Sequence, residues 1–168
     1  KNRNKGVQSL SGNQLKIFEY SSRGLDTSNG TDAKIAFSPS SLKKVVVTGF
    51  DPFFLGSDGL VSNPSGIVAL SFHDNATEFP NAEVKTAVFP VRYDDFGNNS
   101  KGIIETVMEE AVKTASLIMT CSRGISNYDV DRFATRYRTN SIYDNLWMKS
   151  HATNPSESLP ANPSPFFI

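Results

Sequence analysis

The chain has 168 residues, with 17 Lys plus Arg against 17 Asp plus Glu, and so no formal net charge. That length suffices for one domain with its own core, while the balance leaves no electrostatic footprint for nucleic acid or an anionic membrane surface. No apolar run approaches the ~20 residues of a transmembrane helix, and a single cysteine, Cys121, excludes an internal disulfide and a cysteine-based metal site.

Residues 1–41 read as an extension. They are rich in Ser, Asn, Gly and Lys, with short apolar islands at Leu15, Ile17, Phe18 and Tyr20 and again at Ile35, Ala36 and Phe37. Such a composition cannot bury a core alone, so the segment is expected to drape over the domain or over a partner. Gln14–Tyr20 fits a short helix or an added strand. The chain begins at Lys1 rather than Met, which fits a removed leader or a fragment. Asn-x-Ser/Thr sequons fall at Asn29, Asn75 and Asn98, a number expected by chance in so polar a sequence.

Residues 42–150 carry the regular pattern. Val45–Thr48 is a β-branched run of the kind found in a central parallel strand, with Gly49 expected to end it. A Gly/Ser/Asp-rich loop leads to Asn63-Pro64, an N-cap followed by proline at the first helical position, and the helix runs towards His73. Glu83–Phe89 predicts a second strand ended by Pro90. Asp94 or Asp95 is placed to cap a long helix through about Thr114, with Ile103, Ile104, Val107, Met108, Ala111 and Val112 as its apolar stripe. Ser116–Thr120 predicts a third strand. The alternation implies an α/β fold: a three-layer α/β/α sandwich around a mostly parallel sheet, incomplete within this chain. Sites in such sheets form at the carboxyl ends of strands, which puts Gly49–Phe53 and Cys121–Gly124 on one edge. Val130–Asn140 alternates like a strand. Residues 151–168 form a Pro/Ser/Asn-rich tail ending on Phe166-Phe167-Ile168, which predicts that the tail docks or that the polypeptide continues.

Each candidate site residue has an ordinary structural reading beside its chemical one. Cys121 follows an apolar strand, where small buried cysteines are common. His73 and His151 have no partner at catalytic spacing. Phe50 and Phe53 fit loop anchors packing under the sheet edge. Asn63 has a sufficient role as N-cap. Asp131 beside Arg132 fits a surface ion pair. Arg123, Arg132, Arg136 and Arg138 fit a solvated basic face better than an anion or RNA site.

Val45–Phe53 with Asn63-Pro64-Ser65 resembles the amino-terminal signature of the pyroglutamyl peptidase I (pyrrolidone-carboxylate peptidase) family. Further similarities follow in order: Phe89-Pro90-Val91, the helix to Thr114, Leu117–Thr120, Asp131-Arg132-Phe133-Ala134, Ile142-Tyr143-Asp144-Asn145 and Pro165-Phe166-Phe167. The resemblance covers Lys44–Ile168. It implies Phe50 and Phe53 as the aromatic residues that sandwich a pyrrolidone ring, and Asn63 as the brace of their loop. It implies Arg123 at the substrate pocket in place of a Gln, and Asp131 in the position of the carboxylate that orients the catalytic histidine. The family has Glu at that last position, one methylene longer. Phe54-Leu55 replaces a Gly-Gly pair beside the pocket, and Arg136 replaces an Asn. The family's nucleophilic cysteine and its histidine lie on segments beyond the position of Ile168.

The resemblance therefore implies a pyroglutamyl-peptidase-I-like domain, non-catalytic as this chain stands, acting as a structural or interaction subunit. The alternative is a cysteine exopeptidase that removes amino-terminal pyroglutamate, its Cys/His half lying on a continuation or a separate fragment. No cofactor and no metal are expected. The expected partners are another protein or the missing carboxy-terminal half, and a pyroglutamyl peptide if the domain is active; no membrane span and no nucleic acid are expected. The resemblance implies a cytoplasmic location, while the non-Met start allows a processed organellar or secreted chain.

Overall fold

Val45, Val46 and Val47 sit on the middle strand of a sheet in the computed structural model, which describes residues 10–27, 33–39, 42–53, 63–73, 75, 77–96, 103–122 and 143–149. The elements in chain order are α1 (Gly12–Ser22), β1 (Lys43–Phe50), α2 (Pro64–Ser71), β2 (Ala82–Phe89), a 3-10 turn (Tyr93–Phe96), α3 (Ile103–Thr114) and β3 (Leu117–Thr120). The strand order is β2-β1-β3, and both pairings are parallel. β1 and β2 are in register from Lys43 opposite Ala82 to Phe50 opposite Phe89. The fold is α/β, as the alternation of patterns predicts.

The strand period of two divides the core between two helical layers. Val46 on β1 packs with Ala87 and Phe89 of β2 and with Val107 and Ala111 of α3. Its neighbour Val47 faces the other way, onto Ala69 of α2 and Val84 of β2. α2 and α3 thus cover opposite faces. Among the described side chains of the predicted α3 stripe, Val107 and Ala111, spaced one helical turn apart, are fully buried, whereas Val112 is 63% exposed.

Two expectations are corrected. Gly49 does not end its strand; β1 continues through it to Phe50. The glycine is there because α2 lies against it: a Cβ at Gly49 would fall 2.2 Å from the Ser65 carbonyl oxygen and 2.7 Å from the Gly66 nitrogen. Nor do Asp94 and Asp95 start an α-helix. Those residues belong to the 3-10 turn, where the Asp95 carboxylate accepts a 2.6 Å hydrogen bond from Arg92 Nε, and the described part of the predicted helix is α3, Ile103–Thr114.

Gln14–Tyr20 resolves as helix, inside α1. Ser11 caps it, with the Ser11 side chain accepting from Gln14 N and Gln14 Oε1 accepting from Ser11 N, a reciprocal capping box. The far end closes with Leu25 N donating to Tyr20 O and Gly24 N to Ser21 O, the bonding pattern of a left-handed glycine cap, with Gly24 at φ +76°. This cap turns the chain onto the outer edge of β2, where Val88 N donates to Arg23 O at 2.9 Å. Leu25, Ala33 and Ile35 are buried in the same core as Val46 and Val107, and Ile35 N donates to the Val107 carbonyl.

Candidate functional site

The carboxyl ends of β1 and β2 and the start of α2 are tied together by a short polar network. Asn63 caps α2, its Oδ1 accepting from Ser65 N at 3.1 Å and from Ser65 Oγ at 2.8 Å. Ser65 Oγ in turn accepts from Phe50 N at 3.1 Å, and Asn63 Nδ2 donates to the Asp51 carbonyl at 3.0 Å. Asp51 N continues the sheet pairing to Phe89 O. Asn63 thus caps α2 and at the same time ties the Asp51 carbonyl to the helix start.

Two more segments close around this exit. Arg23 Nη1 reaches Asp51 Oδ2 at 2.8 Å with both side chains largely buried. From the other direction, Asn145 Nδ2 donates to the Pro52 carbonyl at 2.8 Å and Asn145 N to the Val91 carbonyl at 3.0 Å. The preceding Asp144 is buried, and its carboxylate accepts from the backbone N–H groups of Tyr93, Leu146 and Met148 at 2.8–3.0 Å. A carboxylate so committed to backbone donors is a structural staple for the turn that follows.

Between these segments lies a cavity of about 180 Å³ lined by Phe50, Phe53, Val91, Arg92, Tyr93, Ser122, Tyr143 and Asp144. It is smaller than the roughly 300–1,000 Å³ of drug-sized sites, and half of its lining residues are aromatic. Arg92 on the rim is held by Asp95 at 2.6 Å and lies 3.6 Å from Glu19. Its desolvation lowers the guanidinium pKa, but the hydrogen bond and charge of Asp95, with Glu19 and Asp51 beyond, outweigh that and raise it above its ordinary value. The Tyr93 hydroxyl is pushed above the usual tyrosine pKa by burial and then by the charge of Asp144. The cavity is thus bordered by the aromatic side chains of Phe50, Phe53, Tyr93 and Tyr143.

Of the predicted site residues, Phe50 and Phe53 share this cavity, and Asn63 sits behind them as described. Ser122, at the carboxyl end of β3, joins them, as the shared strand edge predicts. Arg123 and Asp131 lie outside the described residues, as do Phe54-Leu55, Arg132, Arg136, Arg138 and His151. Cys121 pairs through its backbone with Thr48 O at 2.7 Å, while its side chain packs against the Val47–Ala69–Val84 cluster on the α2 face. Phe50 packs with the opposite cluster. His73 lies just beyond α2, its Nδ1 3.0 Å from Thr86 Oγ1. Among the described residues no group of acidic, histidine and cysteine side chains has metal-binding geometry, and no helix is long and apolar enough to cross a membrane.

Sequence reasoning did not assign Tyr93, Tyr143, Asp144 or Arg23 to the site, although Tyr143 and Asp144 lie in one of the segments of resemblance. Asp144-Asn145 after a β-prone pair is a turn signal that could have flagged the staple. Gly24 followed by the apolar Leu25 is the helix-stop signature that would have placed Arg23 at a chain reversal.

A family model described as PA0049, C-terminal domain, matches residues 44–163, a span that holds all of the sheet except Lys43 and every cavity wall. No curated protein and no solved structure matches the chain.

Proposed function

The chain belongs to the PA0049 C-terminal domain family. From the residues and the cavity rather than from that membership, we propose that it is a pyroglutamyl-peptidase-I-like domain that, as these 168 residues stand, binds a pyrrolidone ring without cleaving its amide. It acts as a recognition or structural subunit. The observation that carries the binding reading is the aromatic cavity at the carboxyl edge of the sheet, with Phe50 and Phe53 on its wall and Asn63 bracing their loop. A five-membered lactam is a flat ring with an apolar face, and stacking on aromatic side chains is how such a cavity would hold it.

For these 168 residues taken alone, the non-catalytic reading is supported by where their thiol points. Cys121 is the single cysteine of these 168 residues, and it packs into the α2-side core, while the cavity opens beside Phe50 on the other face of the sheet. A nucleophile must reach the carbonyl it attacks, and this one is turned away. The role as a subunit is supported by β3, whose Leu117, Ile118 and Met119 are all exposed. Contiguous exposed apolar surface of that kind marks an interaction site.

The test is a pair of measurements on the 168-residue chain. Pyroglutamic acid amide is titrated by calorimetry, with Phe53→Ala as the control; binding that the substitution weakens by about tenfold is expected. A pyroglutamyl amide carrying a chromophore is then incubated with the protein, and no release is expected. Absence of any binding at millimolar ligand sinks the lactam reading. Turnover abolished by a thiol-alkylating reagent would sink the non-catalytic reading and favour a cysteine exopeptidase.

A further inference from the structure

Trp147 occupies the left-handed backbone region at φ 58°, the single non-glycine residue to do so among the described residues, and it is 55% exposed. A bulky residue adopts that conformation only where its surroundings impose it, and such strain clusters at binding and switch sites. Here the surroundings are explicit. Trp147 N donates to the Asp144 carbonyl, the Asp144 carboxylate holds the N–H groups of Leu146 and Met148, and Asp144 N donates to Met148 O. Tyr143 and Lys149 close the turn as an antiparallel bridge. The result is a rigid tip that presents the Trp147 indole to solvent between exposed Leu146 and Met148.

This tip is continuous with the cavity. Tyr143 is a cavity wall, and the Trp147 ring lies against it with centroids 6.0 Å apart. The carboxylate that fixes the tip also accepts Tyr93 N, so the tip and another cavity wall share one anchor. A cavity of about 180 Å³ holds one small ring; whatever is attached to that ring must leave past the rim, and Tyr143 carries the rim out to Trp147. Lys149 Nζ stands 5.0 Å over the Tyr143 ring and disfavours a second cation there.

We propose that the Tyr143–Trp147 tip binds the side chain of the residue that follows the lactam ring in a peptide ligand, selecting a large apolar or aromatic residue and rejecting a basic one. This rests on the lactam reading of the adjoining cavity. It extends that reading from a ring to a two-residue recognition element.

Trp147 is the single tryptophan of the chain, so intrinsic tryptophan emission reports on the tip alone. The experiment titrates the 168-residue chain with pyroglutamyl-phenylalanine amide, pyroglutamyl-glycine amide and acetyl-phenylalanine amide, following emission and calorimetric affinity. The phenylalanine peptide is expected to shift the emission and to bind roughly three- to tenfold more tightly than the glycine peptide, the size of one aromatic contact. Trp147→Gly, which suits the left-handed backbone and so keeps the fold, is expected to erase that difference and leave the affinity for the glycine peptide unchanged. Equal affinities for the two pyroglutamyl peptides, or binding with silent emission, overturn the proposal and leave the lactam reading standing. Failure of both pyroglutamyl peptides to bind overturns the lactam reading and the proposal with it. So does acetyl-phenylalanine amide binding as tightly as its pyroglutamyl counterpart.

Discussion

At the β2 edge of the sheet the chain supplies its own cover, whereas at the β3 edge Leu117, Ile118 and Met119 stand 55%, 38% and 41% exposed. The cover comes from residues amino-terminal to the family match. Arg23 pairs with Val88, Ser38 donates to Glu83 through both its backbone and its hydroxyl, and Leu25, Ala33 and Ile35 enter the core. The difference teaches that the sealed edge is part of the folding unit, though its cover is not part of the matched family span. Among the described residues no strand pairs with the far side of β3, and a strand edge of that kind is a template for further polypeptide. The cavity lies at the carboxyl end of both, walled from β1 and the β2 exit and completed by Ser122 after β3.

The sharpest way to break this comparison is to make the same truncation at each edge. Leu25→Ala is expected to cost about 2–5 kcal/mol, because it leaves a cavity in a packed core. Leu117→Ala should stay within about 0.5 kcal/mol, as exposed substitutions do. Denaturant midpoints at equal slope read both values, and equal losses would dissolve the distinction.

Arg23→Ala tests whether the sealed edge also holds the site. It removes the 2.8 Å bond to Asp51 and leaves a largely buried carboxylate without that partner, at a cost of about 1–3 kcal/mol. A double-mutant cycle with Asp51→Asn should return a clear coupling, and additive losses would detach Arg23 from the β1 exit. At the open edge, Ile118→Lys should change stability by no more than about 0.5 kcal/mol while lowering self-association in light scattering, since an edge lysine blocks strand addition. Unchanged association would remove the edge as a contact surface.

The smallest effect is at the β2 exit and depends on pH. The Tyr93 pKa is raised by burial and then by Asp144. Folding thus favours the neutral phenol, so this contribution is fully present below the ordinary tyrosine pKa of about 10. It is lost as pH rises from there through the folded value. Melting curves at pH 9 and above should fall more steeply for the native chain than for Tyr93→Phe, and parallel curves would contradict the assignment.

Much of the frame was legible in the residues. Three strands, the Asn63-Pro64 helix start and the α3 stripe all arise from short-range preferences: β-branching, capping chemistry and a period near four. The limits of those preferences show at Gly49 and Asp95. A glycine reads locally as a strand end, yet Gly49 stays in the strand because α2 approaches too closely for a Cβ. An aspartate reads locally as a helix cap, yet Asp95 spends its carboxylate on Arg92. In the site, Phe50, Phe53 and Asn63 could be marked from sequence and Asp144-Asn145 carries a turn signal, while nothing local joins Tyr93 and Tyr143 to Phe53, because they reach the cavity from chain segments about 40 and 90 residues further on.

The sequence by itself determined the α/β alternation, and with it the expectation of a parallel sheet and of the strand edge on which a site would form, since the alternation is read from residue patterns local to each strand, helix and turn. Only the tertiary structure decided that residues before the matched domain seal one edge, that Cys121 turns from the cavity, and that Asp144 locks Trp147 beside it. Those outcomes depend on which distant groups meet, and the burial and hydrogen bonds that select them exist only once the chain has folded.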